Sequence, residues 1–246
     1  MSNLLINPYA FNAGAVDAVD FDGTNDYMTR GADLTGLADG KQGILSFWFR
    51  KDGGDGSNQY ILANDLERFR CIIQSNNKFM VDADNVSGNK LFIETAAAHT
   101  ASATWKHFLS SWDLATAGAR FIYISDAADL TVTVFTNDTI DYTDTDWSIG
   151  VNTSGSQKFN GCLAELFFHT TYLDISVEAN RRKFISASGK PVDLGADGST
   201  PLGVQPLVYQ RVADGAAAST FATNLGSGGN FTITGSLDIA STSPSD

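Results

Sequence analysis

Asp65 and Glu67, Asp82 and Asp84, and Asp144 and Asp146 are pairs of carboxylates that stand two residues apart in this chain of 246 residues. On a strand that spacing puts both groups on one face, about 6.6 Å apart. Glycoside hydrolysis needs two carboxyls about 5 to 9.5 Å apart across the sugar. The pairs sit beside Asn, Gly and Thr, however, a setting that reads as solvated turns, where carboxylates are ordinarily exposed. None is expected to be catalytic. Nucleophilic catalysis is not encoded either, since the chain has no Gly-x-Ser-x-Gly elbow and no Cys–His signature. The histidines, His99, His107 and His169, are spread along the chain and read as hydrogen-bonded structural groups. The glycines at Gly53-Gly54 and Gly226 to Gly229 lack the Lys or the following helix of a phosphate-binding loop.

Two binding chemistries remain. Calcium is held by clustered oxygens, and Asp20, Asp22, Asn25 and Asp26 offer them over one turn. Calcium is the only cofactor these residues suggest. The competing reading is a hydrogen-bonded β-turn. Sugars need aromatic faces and a few fixed polar groups, and Trp112, Asp113, Tyr142 and Trp147 are candidates near loops. For these the competing reading is core packing, which is favoured for Trp147.

The elements that would position such residues are short strands. Apolar and aromatic runs recur between clusters of Gly, Asn and Asp, as in an all-β sandwich or barrel. The runs are Val16 to Phe21, Tyr27 to Thr29, Ile44 to Arg50, Tyr60 to Ala63, Phe69 to Gln74, Lys78 to Ala83 and Leu91 to Thr95. They continue with Trp105 to Trp112, Arg120 to Ser125, Thr131 to Thr136, Trp147 to Gly150 and Phe159 to His169. Ile44 to Arg50 has large apolar residues on both faces, which suits a central strand. Asn76-Asn77 reads as a hairpin turn. One helix is expected after Ser176 as N-cap, with Glu178 in its first turn and Arg181, Arg182 and Lys183 towards its C-terminal end, complementing the dipole. Beyond residue 190 come two alternating segments, Pro206 to Val212 and Phe231 to Leu237.

Composition narrows the functions. Charged residues make up 18% of the chain and the net charge is −12. A nucleic-acid partner would need a basic patch, and the only basic run is Arg181-Arg182-Lys183. Anionic lipid surfaces would repel the chain, and no apolar run is long enough to span a bilayer. The expectation is therefore no nucleic acid and no membrane. Met1 to Pro8 lacks the pattern of a secretory leader. Two cysteines, Cys71 and Cys162, do not make a disulfide framework; both are expected as buried thiols, with a bridge between them as the alternative.

Five fragments then line up in order: Val19 to Tyr27 (VDFDGTNDY), Leu45 to Arg50 (LSFWFR), Trp105 to Phe108 (WKHF), Phe121 to Asp126 (FIYISD) and Phe159 to Leu166 (FNGCLAEL). The series resembles the laminin-G-like jelly roll of the concanavalin A-like lectin and glucanase superfamily. The resemblance implies a two-sheet sandwich, and it places Glu165 at an acidic position that extends the calcium set. The glucanases of that superfamily carry a Glu, Asp, Glu alternation that is missing here. The Gly-Cys strand of laminin G modules pairs with a later cysteine, and none follows Cys162. Ser176 to Tyr209 and Phe231 to Leu237 are similar to tails of jelly-roll proteins in tailed bacteriophages. That likeness implies a virion component, a head decoration, head fibre or tail fibre at the particle surface, folded in the host cytoplasm. Other virion proteins and host or environmental glycans would be its partners.

The reading for the whole chain is an all-β, two-sheet antiparallel jelly-roll sandwich with one short helix and a β-rich C-terminal extension. Residues 1–188 form the jelly roll with its closing helix, and 189–246 form an extension packing on the sandwich or on a partner. Val208, Tyr209, Phe231 and Ile233 are the expected assembly residues of a homo-oligomer, and a chain cut after Ser188 is expected to stay folded. The expected function is a non-enzymatic virion protein with a lectin-like surface; the alternative is a free-standing carbohydrate-binding lectin.

Overall fold

The computed structural model describes residues 16–246. The leader reading over Met1 to Pro8 lies outside them. Eighteen strands follow in chain order: β1 Val16–Asp17, β2 Val19–Asp22, β3 Tyr27–Thr29, β4 Gln42–Lys51, β5 Gln59–Asn64 and β6 Phe69–Ile73. Then come β7 Phe79–Asn85, β8 Gly88–Glu94, β9 Lys106–Asp113, β10 Arg120–Ile124, β11 Ala127–Ala128 and β12 Thr131–Phe135. The last are β13 Trp147–Ile149, β14 Asn160–His169, β15 Val208–Gln210, β16 Val212–Ala213, β17 Thr232–Thr234 and β18 Asp238–Ile239.

Sixteen of them form two antiparallel eight-stranded sheets, as a jelly roll requires, and β1 and β16 pair in a separate two-stranded ribbon. The first runs β11-β10-β9-β4-β14-β2-β18, with β15 also on β14. The second runs β12-β8-β7-β6-β5-β13-β3-β17. Strand β4 is central: nearly every residue is buried, and it pairs with β9 on one side and β14 on the other. Alternation decides the faces. Leu45, Phe47 and Phe49 point between the sheets into the main core, where they meet Phe79, Val81 and Phe108. Ring packing is dense there, with Phe47 and Phe108 stacked at 4.7 Å and Phe69 and Phe168 at 4.8 Å.

The outer face of the first sheet is apolar as well. Ile44, Leu109, Phe167 and Tyr209 form a second core with Ile175, Phe184 and Leu194 from the segment after β14. That segment includes a single helical turn, α1 Glu178–Arg181, whose N-cap is Val177. The expected capping by Ser176 is replaced: Asp174 Oδ1 accepts both the amide and the hydroxyl of Ser176. Arg181 and Arg182 fix the turn by ion pairs to Asp126, at 2.5 and 2.6 Å.

The C-terminal extension belongs to the same molecule-wide core. Strand β15 pairs with β14, β18 with β2, β16 with β1, and β17 forms an edge of the second sheet beside β3. Val208 and Phe231 are buried in the main core, with Ile233 packed against it, and Tyr209 lies in the second core. Val208, Tyr209 and Phe231 thus hold the chain's own extension in place within the chain, while Ile233 stays partly exposed at the sheet edge.

Candidate functional site

The sequence-chosen aromatics lie inside. Trp112, Tyr142 and Trp147 are fully buried. Phe69 packs against all three rings, at 5.6 to 5.8 Å. Trp112 Nε1 donates to the Tyr142 hydroxyl, which donates to the Gln42 carbonyl, so the polar tips are satisfied in the core. Asp113 caps the following turn, accepting from Ala115 and Thr116. None of these rings offers a face to a sugar, and the reason is size: large aromatics contribute most when buried.

The calcium set does not converge either. Asp22 Oδ1 accepts the amides of Thr24, Asn25 and Asp26. Burial raises the Asp22 carboxyl, but those amides and Lys158 outweigh it, so its pKa lies below the ordinary value. Asp26 Oδ1 accepts the Ser236 amide. Asp20 faces Cys162 and Asp52, with Arg50 donating to both of those partners. Glu165 lies beneath the extension, where Tyr209 donates to Oε1. Asn25 supplies an amide to the turn rather than a side-chain ligand. These residues fit a hydrogen-bonded turn and a separate buried carboxyl, not one coordination sphere.

The remaining chemistry-bearing groups are similarly committed. Ser46 Oγ and His107 Nε2 meet at 2.8 Å, yet both residues are buried, which leaves no path for a substrate. Burial lowers the His107 pKa to about 3. Arg70 donates to Asp82 through two nitrogens and to Glu67 through a third, and Asp144 accepts the Leu66 amide. Cys71 and Cys162 are separate buried thiols.

One region presents polar groups around an accessible ring. In β3 the alternation sends Met28 inward and leaves Tyr27 and Thr29 half-buried on the outer side. Beside them a hollow of about 120 Å³ is lined by Tyr27, Thr29, Asp65, Asp146, Ser148 and others. Trp147 forms part of its wall without exposing its ring. Asp146 is held rigidly: its Oδ1 accepts the amides of Arg30, Gly31 and Trp147. Asp65 Oδ2 accepts from Thr145 Oγ1. Two members of different sequence pairs, Asp65 and Asp146, thus share one hollow.

A second, wider hollow of about 610 Å³ is lined by Asn58, Ser75, Gln157, Lys158, Asn160 and several glycines. Its floor depends on glycine. A Cβ at Gly23, where φ is +70°, would lie 2.7 Å from the Asn160 Cβ, a contact and a backbone that other residues do not accept. Gln59 binds the Gly53 and Gly54 carbonyls through Nε2 and takes the Asn160 amide on Oε1. The two hollows meet at Lys158. Its Nζ donates to the Gly155 carbonyl, a wall of the first hollow, and lies 5.7 Å from the Tyr27 ring centre. The neighbouring hollows, joined through Lys158, are taken together as one groove: Tyr27 and the carboxylates line its smaller end, and amides and hydroxyls line its wider end. Sequence reasoning missed Tyr27 because it sits beside the turn read as a calcium loop. The one available signal was its place opposite Met28 in a strand that begins directly after that turn.

Residues 22–174 match the laminin G family described as the concanavalin A-like lectin/glucanases superfamily. The chain belongs to this superfamily. Both sheets described above are built mainly from the matched span, whereas β15 to β18 lie beyond it. A solved structure of a protein from Bacteroides ovatus ATCC 8483, provisionally described as carbohydrate binding, superposes with a TM-score of 0.66 at 15% identity. The superposition covers 93% of this chain but 61% of that one, so the chain spans about three fifths of its length. A heptameric SAP-like pentraxin from Limulus polyphemus follows at a TM-score of 0.47 and 15% identity, covering 64% of this chain and 77% of that one. The LG1-3 region of the laminin alpha2 chain matches at 0.47 and 20% identity, over 66% of this chain and 33% of that one. No curated protein matches.

Proposed function

We propose that this superfamily member is a carbohydrate-binding module without catalytic activity, and that it holds glycans in the Tyr27–Lys158 groove. The observation that carries the reading is the half-buried Tyr27 ring set between fixed hydrogen-bonding groups in an open groove. A sugar ring presents a C–H face that stacks on an aromatic and a rim of hydroxyls that need directed acceptors and donors, and such sites combine those two elements. The carbohydrate-binding description of the Bacteroides ovatus protein supports the same class. Binding rather than turnover is favoured because the paired carboxylates are tied into the scaffold, Asp82 by Arg70 and Asp144 by the Leu66 amide. The test is a glycan panel followed by calorimetry on the strongest ligands. Tyr27→Ala should abolish binding while leaving the fold intact; unchanged affinity in that variant would remove the groove from the account.

A second proposal concerns setting. The likeness of Ser176 to Tyr209 to tails of phage jelly-roll proteins supports a place on a bacteriophage particle, as a head decoration or fibre that assembles with other virion proteins. Mass spectrometry of purified particles decides it, with recovery of the chain at high copy number as the expected result.

A further inference from the structure

We infer that the smaller hollow of the groove selects pyranose rings that carry no acidic group, so that uronate and sulfated sugars are refused at that position. The inference rests on the glycan-binding reading above and adds the chemical class of the ligand. Two carboxylates, Asp65 and Asp146, line this hollow, and none of its lining residues is basic. Both carboxylates are anchored, Asp146 by three backbone amides and Asp65 by Thr145. They therefore cannot swing away from an incoming anion without giving up those bonds. Ionised carboxylates accept hydrogen bonds and donate none. A neutral ring satisfies them with its hydroxyls, in charge-assisted bonds stronger than neutral ones.

An acidic substituent in the same place meets two like charges on a chain whose net charge is already −12. Lys158, beside Gly155 and Tyr27, does not offset this. Its ammonium is bound to the Gly155 carbonyl and lies against the Tyr27 ring, and it acts electrostatically on Asp22. The wider hollow is different. Its amides and hydroxyls can both donate and accept, and Lys158 donates, so substituents of either kind fit there. Selectivity is thus confined to one end of the groove and is produced by a repulsive element as much as by an attractive one.

The test uses the full chain and matched probes: oligosaccharides of glucose, galactose and mannose, each paired with the form ending in the corresponding uronate. Calorimetry or competition at low salt should find the neutral member of a bound pair tighter by roughly tenfold, the scale of one like-charge encounter near a protein surface. The gap should narrow in added salt, which screens exposed charges. It should also narrow in Asp65→Asn, whose exposed position in a turn keeps the fold unchanged. Uronates bound as tightly as their neutral partners, through a site that Tyr27→Ala abolishes, would overturn the selectivity and leave the glycan reading standing. No binding by any sugar of either kind would overturn both.

Discussion

The outer face of the first sheet and the β13, β3 and β17 end of the second sheet's outer face differ in character. On the first sheet, Ile44, Leu109 and Phe167 point outward and are sealed by Ile175, Phe184 and Leu194. On the second, the outward residues near β13, β3 and β17 are Ser148, Tyr27, Thr29, Thr232 and Thr234, hydroxyl-bearing and in part exposed. The same alternation governs both. An apolar outer face must find a cover, and the chain spends some 75 residues after β14 in supplying one. A polar outer face needs no cover and stays free for a ligand. The apolar cover lies on one side of the molecule, and the proposed glycan site lies on the other.

Cutting the chain after Ser188 strips part of that cover together with edge strands of both sheets, and should have the largest effect. It removes β15, β17 and β18 together with the buried rings of Tyr209, Phe221 and Phe231. Loss of one such ring alone costs about 3 to 5 kcal/mol, comparable with half the stability of a typical domain. The shortened chain is expected to be insoluble; a soluble product with a cooperative melting transition would show that the cover is dispensable. The sequence-based expectation that residues 1–188 stand alone is the opposite one, and its origin is physical. Strands of two or three residues such as β17 and β18 are too short to show a period, so nothing in the chain announces that they complete both sheets.

On the open side, Arg70→Met breaks the bonds to Asp82, whose side chain is only 1% exposed, leaving Asn89 as its partner. Removing one partner of a buried ion pair is strongly destabilising, and a loss of about 3 kcal/mol is expected in chemical denaturation. A loss below 1 kcal/mol, within the range of surface pairs, would mean that water replaces the guanidinium.

Glu165 distinguishes the sides by pH. It sits at a bulge of β14 with φ +50°, under the extension, and one carboxyl oxygen has no hydrogen-bond partner. Burial raises its pKa from 4.5 to about 7, against the opposing pull of Arg211 and Tyr209. A folded-state pKa above the unfolded value means that the stabilisation is complete below pH 4.5 and is lost as pH rises through 7. Glu165→Gln removes that loss. The variant should therefore gain on the parent between pH 5 and pH 8, by about 3 kcal/mol at most, measured as the difference in melting curves. An equal difference at both pH values would mean that Glu165 stays ionised throughout.

Both thiols test the frame rather than the faces. Cys71 lies in the second sheet and Cys162 in the first. Titration of the denatured protein without reductant should find two free groups, and a count of zero would contradict the strand placement.

The strands with clear alternation, β4, β9 and β14 above all, were legible because each pairs a buried face with a second buried face over eight residues or more. The groove was not. Its ring comes from β3, its carboxylates from the turns around Asp65 and Asp146, and its cation from the loop before β14. No local spacing links groups that only the fold brings together. The tryptophans drew attention by type, yet Trp112 and Trp147 carry the core.

The smallest structural effect and the most direct test coincide at Tyr27. Two-dimensional NMR of the labelled protein, titrated with a glycan taken from the panel, should move the amide signals of Tyr27, Thr29, Ser148, Gly155 and Lys158. Signals from the covered face, such as those of Leu109 and Phe167, should stay still. Shifts confined to that covered side or to the Cys162 neighbourhood, with the Tyr27 groove silent, would contradict the division of the molecule on which this account rests.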